Sequence, residues 1–151
     1  MEVNLCAAVE LRRRLLPLLG KGRDPAIVNM GSILGHRGVP YNSEYCASKF
    51  ALRGWSEAIR AELAGQGIDV LLVSPGTTDT EFFNHLIAAR GSPPWESRQG
   101  IPPETVARQV ITALERRRRE IFPNWQGRAL VGMNRVAPRV VDRFLERYGQ
   151  P

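Results

Sequence analysis

The sequence of 151 residues is long enough for one domain with its own core, and its 43% hydrophobic and 24% charged content is ordinary for a globular protein. No apolar run approaches the roughly 20 residues of a membrane-spanning helix, and arginines follow the first short apolar stretch, the reverse of a secretory signal. The net charge of +6 includes two arginine runs that lack interleaved aromatic residues and any nucleic-acid motif. We therefore expect a cytoplasmic protein without a nucleic-acid partner.

The N-terminal part of the chain predicts a helix, a strand and a second helix. Residues 3–19, VNLCAAVELRRRLLPLL, predict a helix that Pro17 loosens near its end. The apolar run in PAIVNMGS is typical of a short buried strand. After the loop GHRGVPYNS, Ser43 is expected to cap a helix over about 44–64, which nearby glycines end.

The rest of the chain predicts two more strands and three helical segments. IDVLLVSP is typical of a second buried strand, and EIFPNW supplies a short third one. Helices are predicted over about 79–90 and over about 104–119, the latter ending in an arginine run. The tail from about 126 to 148 predicts an amphipathic helix that Pro138 interrupts.

Helices that alternate with short apolar strands indicate an α/β structure around a parallel sheet. About three parallel strands make a thin sheet, and a strand as apolar as AIVNM needs neighbours on both of its edges. The chain opens directly into a helix, which leaves nothing to pair on the other side of that strand. The sequence therefore predicts part of an α/β fold.

Cysteine and histidine positions do not indicate a site. Cys6 and Cys46 lie in predicted helices without metal-ligand spacing, so we expect reduced packing residues and no metal site. His85 is expected at the surface. His36 lies nearer to the candidate residues described next, but no role is assigned to it.

Tyr45 and Lys49 are four residues apart in EYCASKFALRG, so their side chains share one face of the second predicted helix. A nearby ammonium stabilises phenolate, which would lower the tyrosine pKa from about 10 toward neutrality. Such a tyrosine could exchange protons with a substrate. The same spacing is common on solvated helix faces, so the pair alone does not establish a catalytic site.

The ends of the first two strands carry further candidates. Ser32 follows the first strand, and Pro75 and Gly76 end the second, just before threonines at 77, 78 and 80. Ligands of open parallel sheets bind at the carboxyl ends of the strands. We therefore expect these groups to meet Tyr45 and Lys49 at one rim of the sheet.

Together these motifs resemble the short-chain dehydrogenase/reductase family of NAD(P)-dependent oxidoreductases, which have a Rossmann-type fold. IVNMGSILGHRGVPYNSEYCASKFAL is similar to the family's serine strand, loop and Tyr-x-x-x-Lys helix, with the expected 13-residue step from Ser32 to Tyr45. VNL is similar to the helix that carries an active-site asparagine, and VSPGTTDTEF to the Pro-Gly turn. The resemblance covers about 1–125 and implies a partial, doubly wound parallel sheet with flanking helices. An amphipathic tail would follow over 126–151.

The resemblance implies a catalytic set of Asn4, Ser32, Tyr45 and Lys49. Tyr45 would be the general acid in carbonyl reduction or the base in alcohol oxidation, and Ser32 would bind the substrate oxygen. Lys49 would lower the pKa of Tyr45 and bind the nicotinamide ribose. Asn4 would hold, by its carbonyl or its amide, a water that links Lys49 to solvent.

The implied cofactor is NAD or NADP. Besides Tyr45 and Lys49, the family pattern places cofactor contacts on the turn after the second strand: Pro75, Gly76, Thr78 and Thr80. The family's glycine-rich phosphate loop is not found. GSILGHRG has the wrong final spacing and no helix directly behind it, so we do not interpret it as that loop. The residue that selects NAD or NADP would lie in the same missing half.

Three explanations of this half-match stay open. The chain is a truncated reductase, a partner of a separate N-terminal chain, or a non-catalytic interaction module derived from the family. We favour the first, an NAD(P)-dependent oxidoreductase whose isolated chain has doubtful activity. The family commonly associates through the helices that carry Asn4 and Tyr45, so the resemblance also implies a homo-oligomer.

Residues 81–100 occupy the position of the family's substrate-covering segment. Its apolar side chains would form a lid over a hydrophobic carbonyl or alcohol, or would simply pack onto the body: Phe82, Phe83, Leu86, Ile87 and Trp95. The tail alternates basic and apolar residues, so contact with a membrane surface is conceivable. Packing of the tail against the body or in an oligomer is the favoured interpretation.

Overall fold

The computed structural model describes residues 1–80 and 100–148. The strands are β1 (Ala26–Met30), β2 (Asp69–Val73) and β3 (Glu120–Ile121), and the α-helices are α1 (Ala7–Leu19), α2 (Ser43–Leu63), α3 (Pro103–Glu115), α4 (Trp125–Val136) and α5 (Pro138–Glu146). Nearly all of the helix predicted over 79–90 lies outside these residues. Within them, no helix has the length and apolar character needed to cross a membrane.

The sheet has the order β1-β2-β3, and both pairs of strands are parallel. β1 and β2 pair residue for residue from Ala26 opposite Asp69 to Met30 opposite Val73. Because the two strands end at the same level, the loops that follow them begin side by side. This confirms the prediction of about three parallel strands with flanking helices.

Helices cover both faces of the sheet. On one face, Ile59 and Leu63 of α2 pack with Val70 of β2, and leucines of α1 pack against this cluster. On the other face, Leu71 and Val73 pack with α3. Side chains of β2 thus alternate between two apolar layers, as expected for a buried parallel strand.

Three local predictions are wrong. The first helix lies where it was predicted, with a π-helical turn at Glu2–Cys6, but Cys6 is exposed instead of packed. Ser43 is the first residue of α2 rather than its cap, since Asn42 occupies the cap position, and the Ser43 hydroxyl donates to Glu44. Helix α3 ends at Glu115, since the backbone of Arg117 turns to the left-handed region at φ 48°.

The tail packs against the body, in agreement with the interpretation favoured from the sequence. Val141 and Leu145 of α5 are buried in a cluster with Val39 and Cys46. Arg37, in the loop before α2, donates hydrogen bonds to Asn134 of α4 and Asp142 of α5 and so joins both helices to that loop. The division of the chain at residue 125 stays a prediction.

We expect Leu145→Ala to lower the free energy of unfolding by about 2–5 kcal/mol, because it leaves a cavity under α5. Leu145 is 6% exposed. The matched control is Leu18→Ala at a 62% exposed position of α1, which should change stability by about 0.5 kcal/mol or less. Urea denaturation measures both, and equal midpoints for the two variants would contradict the observed packing of the tail.

Candidate active site

The loops after β1 and β2 are bonded directly to each other. The amide of Gly31 donates to the carbonyl of Val73 at 2.7 Å, and the amide of Ile33 donates to the carbonyl of Pro75 at 2.9 Å. Ser32 lies between these two bonds, and its Oγ accepts from the amide of Leu34 at 3.1 Å. Ser32 is therefore fixed at the carboxyl edge of the sheet, where the sequence predicted it.

Helix α2 crosses this edge because a glycine allows it to come close. A Cβ atom on Gly35 would lie 2.8 Å from the carbonyl oxygen of Lys49 and 3.0 Å from its carbonyl carbon. Any larger residue at 35 would push α2 away from the loop that carries Ser32. The glycine thus sets how near Tyr45 and Lys49 come to that loop.

The structure brings Tyr45 and Ser32 together, since their side chains are hydrogen-bonded. Burial raises the pKa of the Tyr45 phenol, and the bond with Ser32 offsets that rise only in part. The prediction that Lys49 lowers this pKa is therefore wrong for the structure described. At neutral pH the phenol carries its proton, which is the form that a general acid requires.

Lys49 is buried at the end of β1. Its Nζ donates to the carbonyl oxygen of Met30 at 2.8 Å and lies 5.6 Å from the centre of the Tyr45 ring. Burial lowers the pKa of this ammonium. Lys49 also lines a groove of about 430 Å³ between α1 and β1.

Asn4 lines the same groove from the π-helical turn. Its side-chain Nδ2 donates to Ser48 Oγ at 3.0 Å, and that hydroxyl donates to the carbonyl of Tyr45 at 2.7 Å. Asn4 is thereby tied to the turn of α2 that carries Tyr45. One N–H of its side-chain amide serves this structural bond, so the carbonyl oxygens of Asn4 are the groups to consider for a water.

The turn after β2 is held by a residue that the sequence did not point to. The amide of Gly76 donates to Asn124 Oδ1 at 2.8 Å, and a Cβ on Gly76 would collide with the same side chain. Thr78 Oγ1 donates to the carbonyl of Gly76 at 3.4 Å, whereas Thr80 is exposed.

A buried polar cluster of His36, Ser74 and Glu120 was also missed. His36 Nε2 lies 2.8 Å from Glu120 Oε1 and 3.2 Å from Ser74 Oγ, and Ser74 Oγ donates to the same carboxylate oxygen at 2.9 Å. Burial raises the pKa of Glu120, but its bonds to His36 and Ser74 outweigh burial and lower it overall. The signal available was a glutamate that opens the otherwise apolar segment EIF.

Two further sequence predictions concern the lid and the glycine-containing segment GSILGHRG. The proposed lid residues Phe82, Phe83, Leu86 and Trp95 lie outside the described residues, so their role stays a prediction. The glycines of GSILGHRG surround a short 3-10 turn, Ile33–Gly35, and α2 begins only at Ser43. The segment therefore lacks the helix that a phosphate-binding loop needs behind it.

Known proteins are similar to this chain in sequence and in architecture. The sequence pattern of the short chain dehydrogenase family matches residues 1–91. The chain is 36% identical over 131 residues to the uncharacterized oxidoreductase YxnA of Bacillus subtilis, covering 85% of this chain and 37% of that protein. It is 33% identical to the ketoacyl reductase HetN of a Nostoc species, covering 98% of this chain and 53% of that protein.

A solved structure gives the same result. The crystal structure of a short chain dehydrogenase from Burkholderia cenocepacia in complex with NADP superposes with a TM-score of 0.80 at 27% identity. The match covers 95% of this chain and 56% of that one. The chain thus spans about half the length, or less, of these similar proteins.

We expect Gly35→Ala to lower the free energy of unfolding by about 1–3 kcal/mol, since the added methyl group meets the backbone of Lys49. The matched control is Gly54→Ala in α2, the helix that carries Lys49, where a Cβ meets nothing within 4 Å. That change should stabilise the helix by as much as about 1 kcal/mol. Thermal unfolding would show opposite shifts, and equal shifts would contradict the close approach at Gly35.

Proposed function

The chain belongs to the short-chain dehydrogenase family, and we propose that it supplies the catalytic portion of an NAD(P)-dependent oxidoreductase that interconverts a carbonyl and an alcohol. The observation that carries the proposal is the hydrogen bond between Ser32 and Tyr45, with Lys49 one turn further along the same helix. The three-stranded parallel sheet positions them as part of the family's Rossmann-type fold.

Tyr45 and Ser32 would act on the substrate oxygen. A carbonyl oxygen placed between the two hydroxyls accepts a hydrogen bond from each, and both bonds strengthen as negative charge develops there. Tyr45 then transfers its phenolic proton to that oxygen, and in alcohol oxidation the proton returns to Tyr45. The raised pKa of Tyr45 favours the protonated phenol that reduction needs.

Lys49 and Asn4 would restore the proton and orient the cofactor. An ammonium has three N–H donors, and the bond to Met30 uses one of them, so Lys49 can also donate to ribose hydroxyls. Asn4 and Lys49 line the same groove, where a water between them would lead toward solvent. The nicotinamide cofactor, when bound, supplies or accepts the hydride.

The open edge of β1 suggests that this site is completed by further polypeptide. Within the described residues β1 pairs only with β2, and Val28 and Met30 remain 36% and 48% exposed. Parallel strands are normally covered on both faces, and an unpaired edge offers N–H and C=O groups that can pair with another strand. We infer that another strand lies beside β1 in the active protein and that its connection to a helix supplies most of the pyrophosphate contacts.

The cofactor and the class of substrate are proposed by analogy with similar proteins. The Burkholderia structure holds NADP, which supports a nicotinamide dinucleotide here without selecting between NAD and NADP. HetN is named a ketoacyl reductase, and this favours a keto group on an acyl chain as the substrate. If the apolar side chains of residues 81–100 form the lid considered in the sequence analysis, they would cover such a substrate.

Self-association is proposed through the helices that carry Asn4 and Tyr45. Val3, Leu11 and Phe50 are exposed apolar side chains of these elements. Burying such residues against a second copy would remove apolar surface from water. Sedimentation equilibrium tests this point, and a monomer at micromolar concentration would contradict it.

We predict that Tyr45→Phe lowers turnover by about 100-fold or more in the active enzyme, because the phenolic proton is lost, while cofactor affinity is unchanged. Tyr41→Phe, at an exposed tyrosine four residues earlier, is the matched control and should retain normal turnover. Steady-state kinetics with varied cofactor measure both effects. Near-normal turnover by Tyr45→Phe would remove this residue from the mechanism.

We also predict that residues 1–151 alone bind NADPH and NADH more weakly than about 100 μM, because the chain offers Lys49 and the turn after β2 but no glycine-rich phosphate loop. Fluorescence titration with each cofactor measures this affinity. Micromolar binding would show that the described residues are sufficient to hold the dinucleotide.

A further inference from the structure

His36 reaches back from the loop after β1 to the neighbouring strands. Its side chain is only 2% exposed, and it lies between Ser74, at the end of β2, and Glu120, at the start of β3. The Phe122 ring packs against it with centroids 5.3 Å apart. The imidazole is therefore held in place by contacts with β3 and with the residue that follows β2.

The hydrogen bonds identify which imidazole nitrogen donates. Ser74 has a single hydroxyl proton, and it is directed to Glu120 Oε1. The 2.8 Å contact between His36 Nε2 and the same oxygen therefore needs the proton of Nε2. His36 Nδ1 is buried without a hydrogen-bond partner among residues 1–80 and 100–148.

Two connections join the loop that carries Ser32 to the residues that follow β2. The first is the backbone bond from the amide of Ile33 to the carbonyl of Pro75. In the second, the His36 imidazole contacts Ser74, the residue before Pro75, and also Glu120 of β3. The backbone of His36 is also fixed, since Asn134 Nδ2 donates to its carbonyl at 3.1 Å.

We propose that His36 and Glu120 are positioning residues that hold the loop of Ser32 against the turn after β2, so that the Ser32 hydroxyl stays bonded to Tyr45. The inference rests on the proposed function, because it explains how the serine of that site is held. His36 acts through the loop and does not itself contact the Tyr45–Ser32 pair. Glu120 acts one step further away, as the acceptor that fixes the imidazole.

The test follows the phenol of Tyr45 in the full chain by carbon NMR of labelled tyrosine, with Tyr45→Phe to assign the signal. Ser32→Ala should raise the phenol pKa, because it removes the hydrogen bond that lowers it. His36→Leu should raise it by the same amount. His36→Gln, which keeps an N–H near the position of Nε2, should restore the wild-type value. Lys49 and Cys46, which also face this phenol, are identical in every variant.

A second readout is amide hydrogen exchange at Ile33, whose bond to Pro75 reports directly on the loop. His36→Leu and, independently, Glu120→Ala should speed this exchange by about tenfold or more. Ile59→Val, a conservative loss in the buried layer of α2, is the stability control. It should leave both the exchange rate and the phenol pKa unchanged.

The outcomes separate this proposal from the proposed function. Unchanged Ile33 exchange in His36→Leu and Glu120→Ala overturns the positioning role, whatever the enzyme does. An effect in His36→Leu that His36→Gln does not reverse also overturns it. If exchange responds as expected while Ser32→Ala fails to move the Tyr45 titration, the loop is held by His36 but the proposed catalytic pair is wrong.

Discussion

The close contact between Gly35 and the backbone of Lys49 is the constraint on which the candidate site depends. It lets α2 lie against the loop after β1, and this proximity places a phenol within hydrogen-bond distance of a hydroxyl. The parallel register of β1 and β2 is the second constraint, because it brings the turn at Pro75 level with that loop. Helix packing and strand register together fix the site in three dimensions.

Much of this arrangement could be predicted from the sequence because its main signals are local. Apolar runs and their spacing located β1, β2 and even the two-residue β3, and glycines marked the end of α2 near Gly67, which takes the left-handed conformation. Because ligands of open parallel sheets bind at the carboxyl ends of the strands, the sequence also predicted that Ser32 lies near Tyr45. Helix ends were less predictable, since Asn42 instead of Ser43 caps α2 and a left-handed Arg117 stops α3 before the end of the arginine run.

The electrostatic prediction failed for a tertiary reason. Sequence spacing shows that Lys49 is near Tyr45, but it does not show how deeply either side chain is buried or where the ammonium points. Here the ammonium donates to Met30, and burial raises the phenol pKa. The supporting residues were missed for a similar reason, because Asn124 and Glu120 come from distant segments and meet the site only after β3 joins the sheet.

The many attachments of the segment from Ser32 to Tyr45 limit how its length can change in related sequences. Backbone bonds hold its start, while His36 and Arg37 hold its middle. A single inserted residue would have to break one of these anchors or move the serine out of phase with the tyrosine. The connection over residues 20–23 is exposed, and the backbone bonds of residues 20–22 go only as far as the last turns of α1. Insertions, tags or permuted termini should therefore be accepted there and rejected beside the site.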